Sequence, residues 1–264
     1  MNILVLVKEV PDMTKVKFDC ERGVVDRSSA ESEINPFDIN ALQTAVNIKN
    51  QFGATVSVLT MGPPKAEKSL RDAYARGADE GILLTDKKFG GADTCATAMT
   101  LSSAVKYLGN FDLIVCGEKS VDGDTAQVGA EVAEFLDIPH AYYVDKIIET
   151  NNEHITVETE EICGSKQIRK MKMPALIGVT KNINFPKLPT VNRKLKSMLI
   201  DVKKISLEDL SDYISEESTG FKGSPTKVSK IEIPRAIKRE SLIIRNDYNT
   251  FKEIIQNKTK GTRR

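Results

Sequence analysis

The residues with most chemical promise form one loop, Gly117-Glu118-Lys119-Ser120-Val121-Asp122-Gly123-Asp124-Thr125-Ala126-Gln127-Val128-Gly129. An apolar run at 111–116 precedes it and a helical pattern follows it. Gly123 permits a close backbone approach or a positive φ. Asp124 and Gln127, three residues apart, match a capping box and predict a helix over 125–136. The free amides of such a helix start also bind phosphate. Gly90-Gly91-Ala92-Asp93-Thr94-Cys95-Ala96-Thr97-Ala98 repeats the theme, with a glycine pair, an Asp cap, two threonines about one turn apart and little bulk. Two such helix starts at one end of a sheet suit a phosphate or pyrophosphate. Neither G-x-G-x-x-G nor G-x-x-x-x-G-K-[ST] is present, so the standard dinucleotide and P-loop fingerprints are absent.

Side-chain catalysis finds little support. Cys20, Cys95, Cys116 and Cys163 are scattered without a C-x-x-C pair and make neither a disulfide framework nor an iron–sulfur site. His140 and His154 are too few for a metal centre. Cys95 opens a helix but has no histidine to pair with, and it reads as a small buried residue. Asp122 and Asp124 form a carboxylate pair of a kind common in loops. A binding protein whose cofactor carries the chemistry fits these residues better than a side-chain enzyme.

The elements that must position them alternate. Apolar runs at 3–7, 54–60, 81–85 and 111–116 read as buried strands. Between them lie helical patterns at 36–51, 66–76 and 94–107, the first opened by Pro36 with Asn35 as its cap. A small hairpin fits 15–18 with 24–26. This β-α alternation predicts an α/β fold with a doubly wound parallel sheet, whose ligand sits beyond the carboxyl ends of the strands at the switch point. Leu6 and Met61 read as core there and also stand where they would flank a flat ring. Beyond Pro139 the pattern becomes antiparallel at 141–149, 154–160 and 167–172, then returns to a buried strand at 174–180. The expected division is an α/β domain over 1–190, with antiparallel strands within 141–173, and a core-poor basic extension over 191–264 ending in a helix near 248–258.

The chain has 264 residues, 40% hydrophobic and 28% charged, ample for a core. No run approaches a membrane span, and the first residues read as a strand rather than a signal peptide, so a cytoplasmic protein is expected. Residues 1–180 carry 19 Lys+Arg and 27 Asp+Glu, whereas 181–264 carry 19 and 10. Interleaved apolar and acidic residues and the absence of Trp argue against nucleic acid. They favour a tail lying on an acidic partner chain.

Asn35-Pro36-Phe37-Asp38, Met61-Gly62-Pro63, Leu70-Arg71-Asp72-Ala73 with Gly77-Ala78-Asp79, Gly91-Ala92-Asp93-Thr94 with Ala96-Thr97, and the 122–129 stretch stand in an order that resembles the β subunit of electron-transfer flavoproteins. The 157–160 and 174–177 segments are similar to a later signature of that family, and the resemblance covers about residues 1–230. It implies an adenine-nucleotide-binding domain paired with a larger α subunit that carries its own FAD. Simple members hold AMP in the β subunit; electron-bifurcating members hold a second FAD. The 122–129 stretch looks like the FAD-holding type, which implies NADH as donor, a ferredoxin-like acceptor and a flavin-dependent dehydrogenase of the acyl-CoA or 2-hydroxy-acid type. Carried over by position, the cofactor site comprises Leu6, Asn35, Pro36, Phe37, Asp38, Met61, Asp93, Thr94, Thr97 and every residue from Gly117 to Val128. A dehydrogenase-docking loop is implied near 184–196, where Val191 and Asn192-Arg193-Lys194 depart from the usual pattern, as Ser165-Lys166 does in the signature. The alternatives are an AMP-holding scaffold subunit and a stand-alone ATP-binding module. The antiparallel insertion and basic extension argue against the latter.

Overall fold

A computed structural model describes residues 1–12, 15, 17–19, 24–26, 31–160, 164–227, 243–245 and 247–261. Cys20 and Cys163 lie outside the described residues. The alternation seen in the sequence becomes β1 (Asn2–Leu6), β2 (Glu9–Pro11), β3 (Lys17–Asp19), β4 (Val24–Asp26), β5 (Ser32–Ile34), α1 (Pro36–Phe52), β6 (Thr55–Met61), α2 (Glu67–Arg76), β7 (Glu80–Leu84), α3 (Thr94–Leu108), β8 (Leu113–Gly117) and α4 (Val128–Phe135). Then come β9 (His140–Thr150), β10 (His154–Glu160), β11 (Lys166–Lys172), β12 (Ala175–Val179), α5 (Val191–Ser197), β13 (Lys203–Ile205), α6 (Gly220–Gly223) and α7 (Tyr248–Gly261).

Among the described residues, a nine-stranded sheet runs β11-β10-β9-β12-β8-β1-β6-β7-β13. Its parallel pairs are β1–β6, β1–β8, β6–β7, β8–β12, β9–β12 and β7–β13; β9, β10 and β11 pair antiparallel. The chain moves outward from β1 through β6 to β7, then returns to the far side of β1 as β8. The switch point therefore lies between β1 and β8. The sheet is mostly parallel with helices on both faces, as the sequence predicts. β3 and β4 form the expected small hairpin.

Each face has its own core. Ile3, Val5, Val56 and Val58 pack toward Ala41, Leu42 and Ala45 of α1 and Leu70 and Ala73 of α2. Leu4, Leu59, Ile82, Leu84 and Ile114 pack with Ala98, Leu101 and Ala104 of α3 and Val132 and Ala133 of α4. The alternation along each strand serves both faces, which is why the runs are continuously apolar.

The expected boundary at 190/191 does not match the packing. One compact unit spans Met1–Val228. Ile205 extends the sheet edge beside β7, and Leu207, Leu210 and Ile214 are buried against the α3 face. Leu207, Leu210 and Ile214 stand at i, i+3 and i+7, a helix-like spacing, in a segment that forms turns rather than a helix. The second unit, Ser229–Arg264, contains α7, whose Tyr248 and Phe251 are exposed.

Candidate functional site

A cavity of about 1250 Å³ opens at the carboxyl ends of β1, β6, β7 and β8. Leu6, Asn35, Asp38, Met61, Asp93, Thr94, Thr97, Gly117, Glu118, Lys119, Ser120, Gly123, Thr125, Ala126, Gln127 and Val128 all line it. Pro36, Phe37, Val121, Asp122 and Asp124 are not among its lining residues. Four of these five brace the wall. Phe37 packs so close to Gly117 that a Cβ there would lie 2.6 Å from the Phe37 Cβ. The Val121 amide donates to Asn35 Oδ1 at 3.2 Å. Asp122 takes the Lys8 ammonium at 2.8 Å, and Asp124 takes that of Lys119 at 2.7 Å.

Asn35 stands at the start of α1 but does not cap it with its side chain. Fully buried, its carboxamide reaches the loop after β8: Nδ2 donates to the Lys119 carbonyl at 2.8 Å, while Oδ1 accepts from Val121. Pro36 supplies the missing-donor solution at the helix start instead. Asp38 is also buried. Its carboxylate accepts from the Lys8 amide at 2.8 Å and the Gly117 amide at 3.1 Å, tying the ends of β1 and β8 across the switch point. Burial pushes the Asp38 carboxyl up to about 7, although hydrogen bonds from Lys8, Asn35 and Gly117 pull it down. Gly117 is required here, since a Cβ would lie 2.5 Å from Asp38 Oδ1.

The capping box expected at Asp124 and Gln127 does not form. Asp124 and Ala126 are left-handed, with φ of 54° and 53°, so the helix cannot begin until Val128. Each such non-glycine residue costs about 1 kcal/mol. Gly123 itself does not take a positive φ, so of the two uses the sequence offered for it the close backbone approach remains. A Cβ on Gly123 would meet only Ser120 Oγ at 3.4 Å and Lys8 Nζ at 3.9 Å, so the space before it belongs to the cavity. The amides of Gly129 and Ala130 are directed at the Tyr142 hydroxyl, whose ionisation burial pushes up. A Cβ on Gly129 would collide with that hydroxyl, and one on Gly178 would lie 2.9 Å from the Tyr142 ring.

The start of α3 behaves as the sequence predicts and does more. Asp93 Oδ1 accepts from the Ala96 amide at 3.0 Å, the expected cap. Its other oxygen accepts from the Thr226 amide at 2.9 Å and the Thr226 hydroxyl at 2.7 Å. Burial works against the Asp93 charge, yet bonds from Ala96, Thr226 and Cys95 outweigh it and hold the carboxyl below its ordinary range. Thr94 Oγ1 donates to Glu131 Oε1 at 3.2 Å, linking the two helix starts. Burial raises the Glu131 carboxyl. Burial likewise raises the Cys95 thiol, and pushes that of Cys116 up to about 12, so neither is an activated nucleophile. The sequence reading missed Tyr142, Glu131, Pro225 and Thr226 as cavity residues.

Away from the cavity, the segment around α5 exposes apolar side chains in succession. Phe185 is 97% exposed and Leu199 89%, with Leu188, Val191, Leu195 and Met198 between them also exposed. Lys187, Arg193, Lys194 and Lys196 are interspersed.

The sequence profile described as the electron transfer flavoprotein domain matches residues 22–207, more than half the chain. The chain belongs to the electron transfer flavoprotein family. It is 40% identical over 264 residues to "Electron transfer flavoprotein subunit beta" of Thermoanaerobacterium thermosaccharolyticum, covering 97% of this chain and 96% of that protein. The protein of the same description in Clostridium acetobutylicum is 40% identical over 230 residues, 87% of each chain. "Caffeyl-CoA reductase-Etf complex subunit CarD" of Acetobacterium woodii is 38% identical over 238 residues, 89% of each. Within the family the chain is of the β-subunit type, and its role is electron transfer. Among the described residues, no helix is long and apolar enough to cross a membrane.

Proposed function

We propose that the cavity holds FAD and that the chain serves an electron-bifurcating electron transfer flavoprotein, in the cytoplasm, as the partner of an α subunit with its own FAD. The observation that carries this reading is the size and reach of the cavity. At about 1250 Å³ it exceeds the roughly 300–1,000 Å³ of small-ligand sites, and it extends from the β1–β8 switch point to the start of α3. When bound, the flavin would accept a hydride from NADH and return single electrons, one to a low-potential ferredoxin-like acceptor and one by way of the α-subunit FAD to a dehydrogenase acting on an acyl-CoA or a 2-hydroxy acid.

The chain's own residues bind and orient. Thr97 and Thr125 offer hydroxyl donors along the cavity, the Thr94 hydroxyl, whose proton goes to Glu131, offers its lone pairs, and Gly123 lets a ligand approach the backbone. Leu6 and Met61 give apolar contact at the ends of adjacent strands. Asn35 and Asp38 act one step back, holding the loop and the strand ends in register. The exposed apolar segment over 185–199, with its lysines and Arg193, is the surface on which the dehydrogenase would dock. The exposed Tyr248 and Phe251 of α7 suit packing on the α subunit.

Counting nucleotides in the purified αβ pair tests the reading. Two FAD per pair supports it. One FAD with one AMP contradicts it and leaves an AMP-holding scaffold subunit.

A further inference from the structure

The sequence offers two helix starts for a phosphate, and the chain spends polar groups of both on itself. Residues 219–227 cross the start of α3 as a strap. Gly220 seats it with a φ of +55°, because a Cβ there would run into the Lys88 carbonyl. The Phe221 amide donates to the Gly90 carbonyl at 3.0 Å, and Ser224 Oγ accepts from the Asp93 amide at 2.9 Å. Asp93 in turn takes the amides of Ala96 and Thr226 and the Thr226 hydroxyl. A ligand at this rim meets a carboxylate, with Glu131 beside it on Thr94. Like charge disfavours a phosphate there. At the start of α4 the Gly129 and Ala130 amides are directed at the Tyr142 hydroxyl.

A cation stands at the other rim. Lys8 follows β1 at the switch point, and its backbone is fixed on both sides. Its amide donates to Asp38 Oδ2 at 2.8 Å, and its carbonyl accepts from the Asn35 amide at 2.9 Å. Its side chain lines the cavity and is 49% exposed. Asp122, which is no part of the lining, takes the ammonium at 2.8 Å, and Ser120 Oγ stands 3.4 Å from it. An ammonium has three protons, and these partners use two. Gly123 opens onto the same point, since a Cβ there would lie 3.9 Å from Lys8 Nζ and 3.4 Å from Ser120 Oγ. Of the other lysines in the lining, Lys119 is turned to the exposed Asp124, and Lys87 belongs to the turn after β7 on which the strap docks. A phosphate oxygen at hydrogen-bond distance from Lys8 Nζ would lie nearer the cation than the carboxylate beyond it, so the attraction survives the pairing. We propose that Lys8 is a phosphate-binding residue: its third proton goes to the pyrophosphate of the bound nucleotide where Gly123 lets it approach, and Asp122 and Ser120 position the ammonium. This rests on the reading of the cavity as the FAD site, of which it uses the pyrophosphate alone.

The αβ complex freed of nucleotide tests it with ADP, which carries both phosphates of the FAD pyrophosphate, and adenosine, which carries none. Lys8→Met keeps the stem and removes the charge. It should weaken ADP about tenfold, the scale of one lost hydrogen bond to a charged group, and leave adenosine within about twofold of wild type. Lys8→Gln still donates to Asp122, and it should lose the preference for ADP as well. Lys8→Arg keeps the charge and should retain it. Circular dichroism and thermal unfolding of each variant confirm that the complex is folded. The variants differ only in this chain, so nucleotide bound by the α subunit cancels from the comparison. Equal weakening of ADP and adenosine would make Lys8 a brace of the loop alone, and unchanged ADP affinity would put the pyrophosphate elsewhere. Either result overturns the assignment and leaves the cavity as the nucleotide site. A wild-type pair that holds nucleotide in the α subunit only would overturn the FAD reading, and this assignment with it.

Discussion

The two helix starts that border the cavity, joined by Thr94 and Glu131, look alike in sequence and are built in opposite ways. α3 begins with a satisfied Asp93 cap, and the protein's own strap covers it. α4 begins without a side-chain cap from Gln127, after a loop that holds Asp124 and Ala126 in left-handed conformations. One rim is closed by hydrogen bonds within the chain. The other is held open under strain by Asn35, Lys8 and Lys119, each reaching in from outside it or across it. The contrast shows where the chain spends its polar groups on itself and where it leaves room for a ligand.

The largest expected effect concerns the open rim and its support at Asp38. Its carboxyl is raised by burial from 3.8 to about 7. The folded state therefore binds a proton more tightly than the unfolded state, and the stabilisation is present below about pH 4 and lost as pH rises through about 7. Denaturant unfolding of wild type and Asp38→Asn should show the wild type losing stability relative to the variant between pH 4 and 7. A constant difference would mean that Asp38 is not the buried acid described here.

Next comes a pair of glycines, one on each rim. Gly220→Ala drives a Cβ into the Lys88 backbone carbonyl and should lower stability by about 3 kcal/mol in urea titrations. Gly123→Val meets little protein and should change stability by less than about 0.5 kcal/mol, while reducing flavin occupancy at least severalfold. Equal stability losses in the two would erase the distinction between the rims. Smaller still is the capping test. Asp93→Ala should cost about 2 kcal/mol, the upper end for a lost N-cap because Thr226 loses its acceptor as well, and Gln127→Ala almost nothing. Comparable losses would restore the capping box that the left-handed loop excludes.

The parallel units were legible because each strand is buried on both faces and α1, α2 and α3 are punctuated by Pro36, Gly53, Gly77 or Asp93. Local signals of that kind survive without knowledge of the fold. What escaped depends on partners far along the chain. Asn35 carries an N-cap residue's signature, yet its carboxamide serves a loop 84 residues away. Thr226 gave no sign of belonging to a site until Asp93, 133 residues earlier, was seen to hold it. Tyr142 marks its place only through the glycines at 129 and 178 that make room for its ring. The short β13 was hidden because three residues, two of them lysines, show no alternation.

The most direct test of FAD in the cavity is an anaerobic titration of the αβ pair with NADH, followed by flavin absorbance. Bleaching of a second flavin is expected, with Gly123→Val losing that phase while the α-subunit flavin stays in place. A pair that carries one flavin and does not respond to NADH would contradict it.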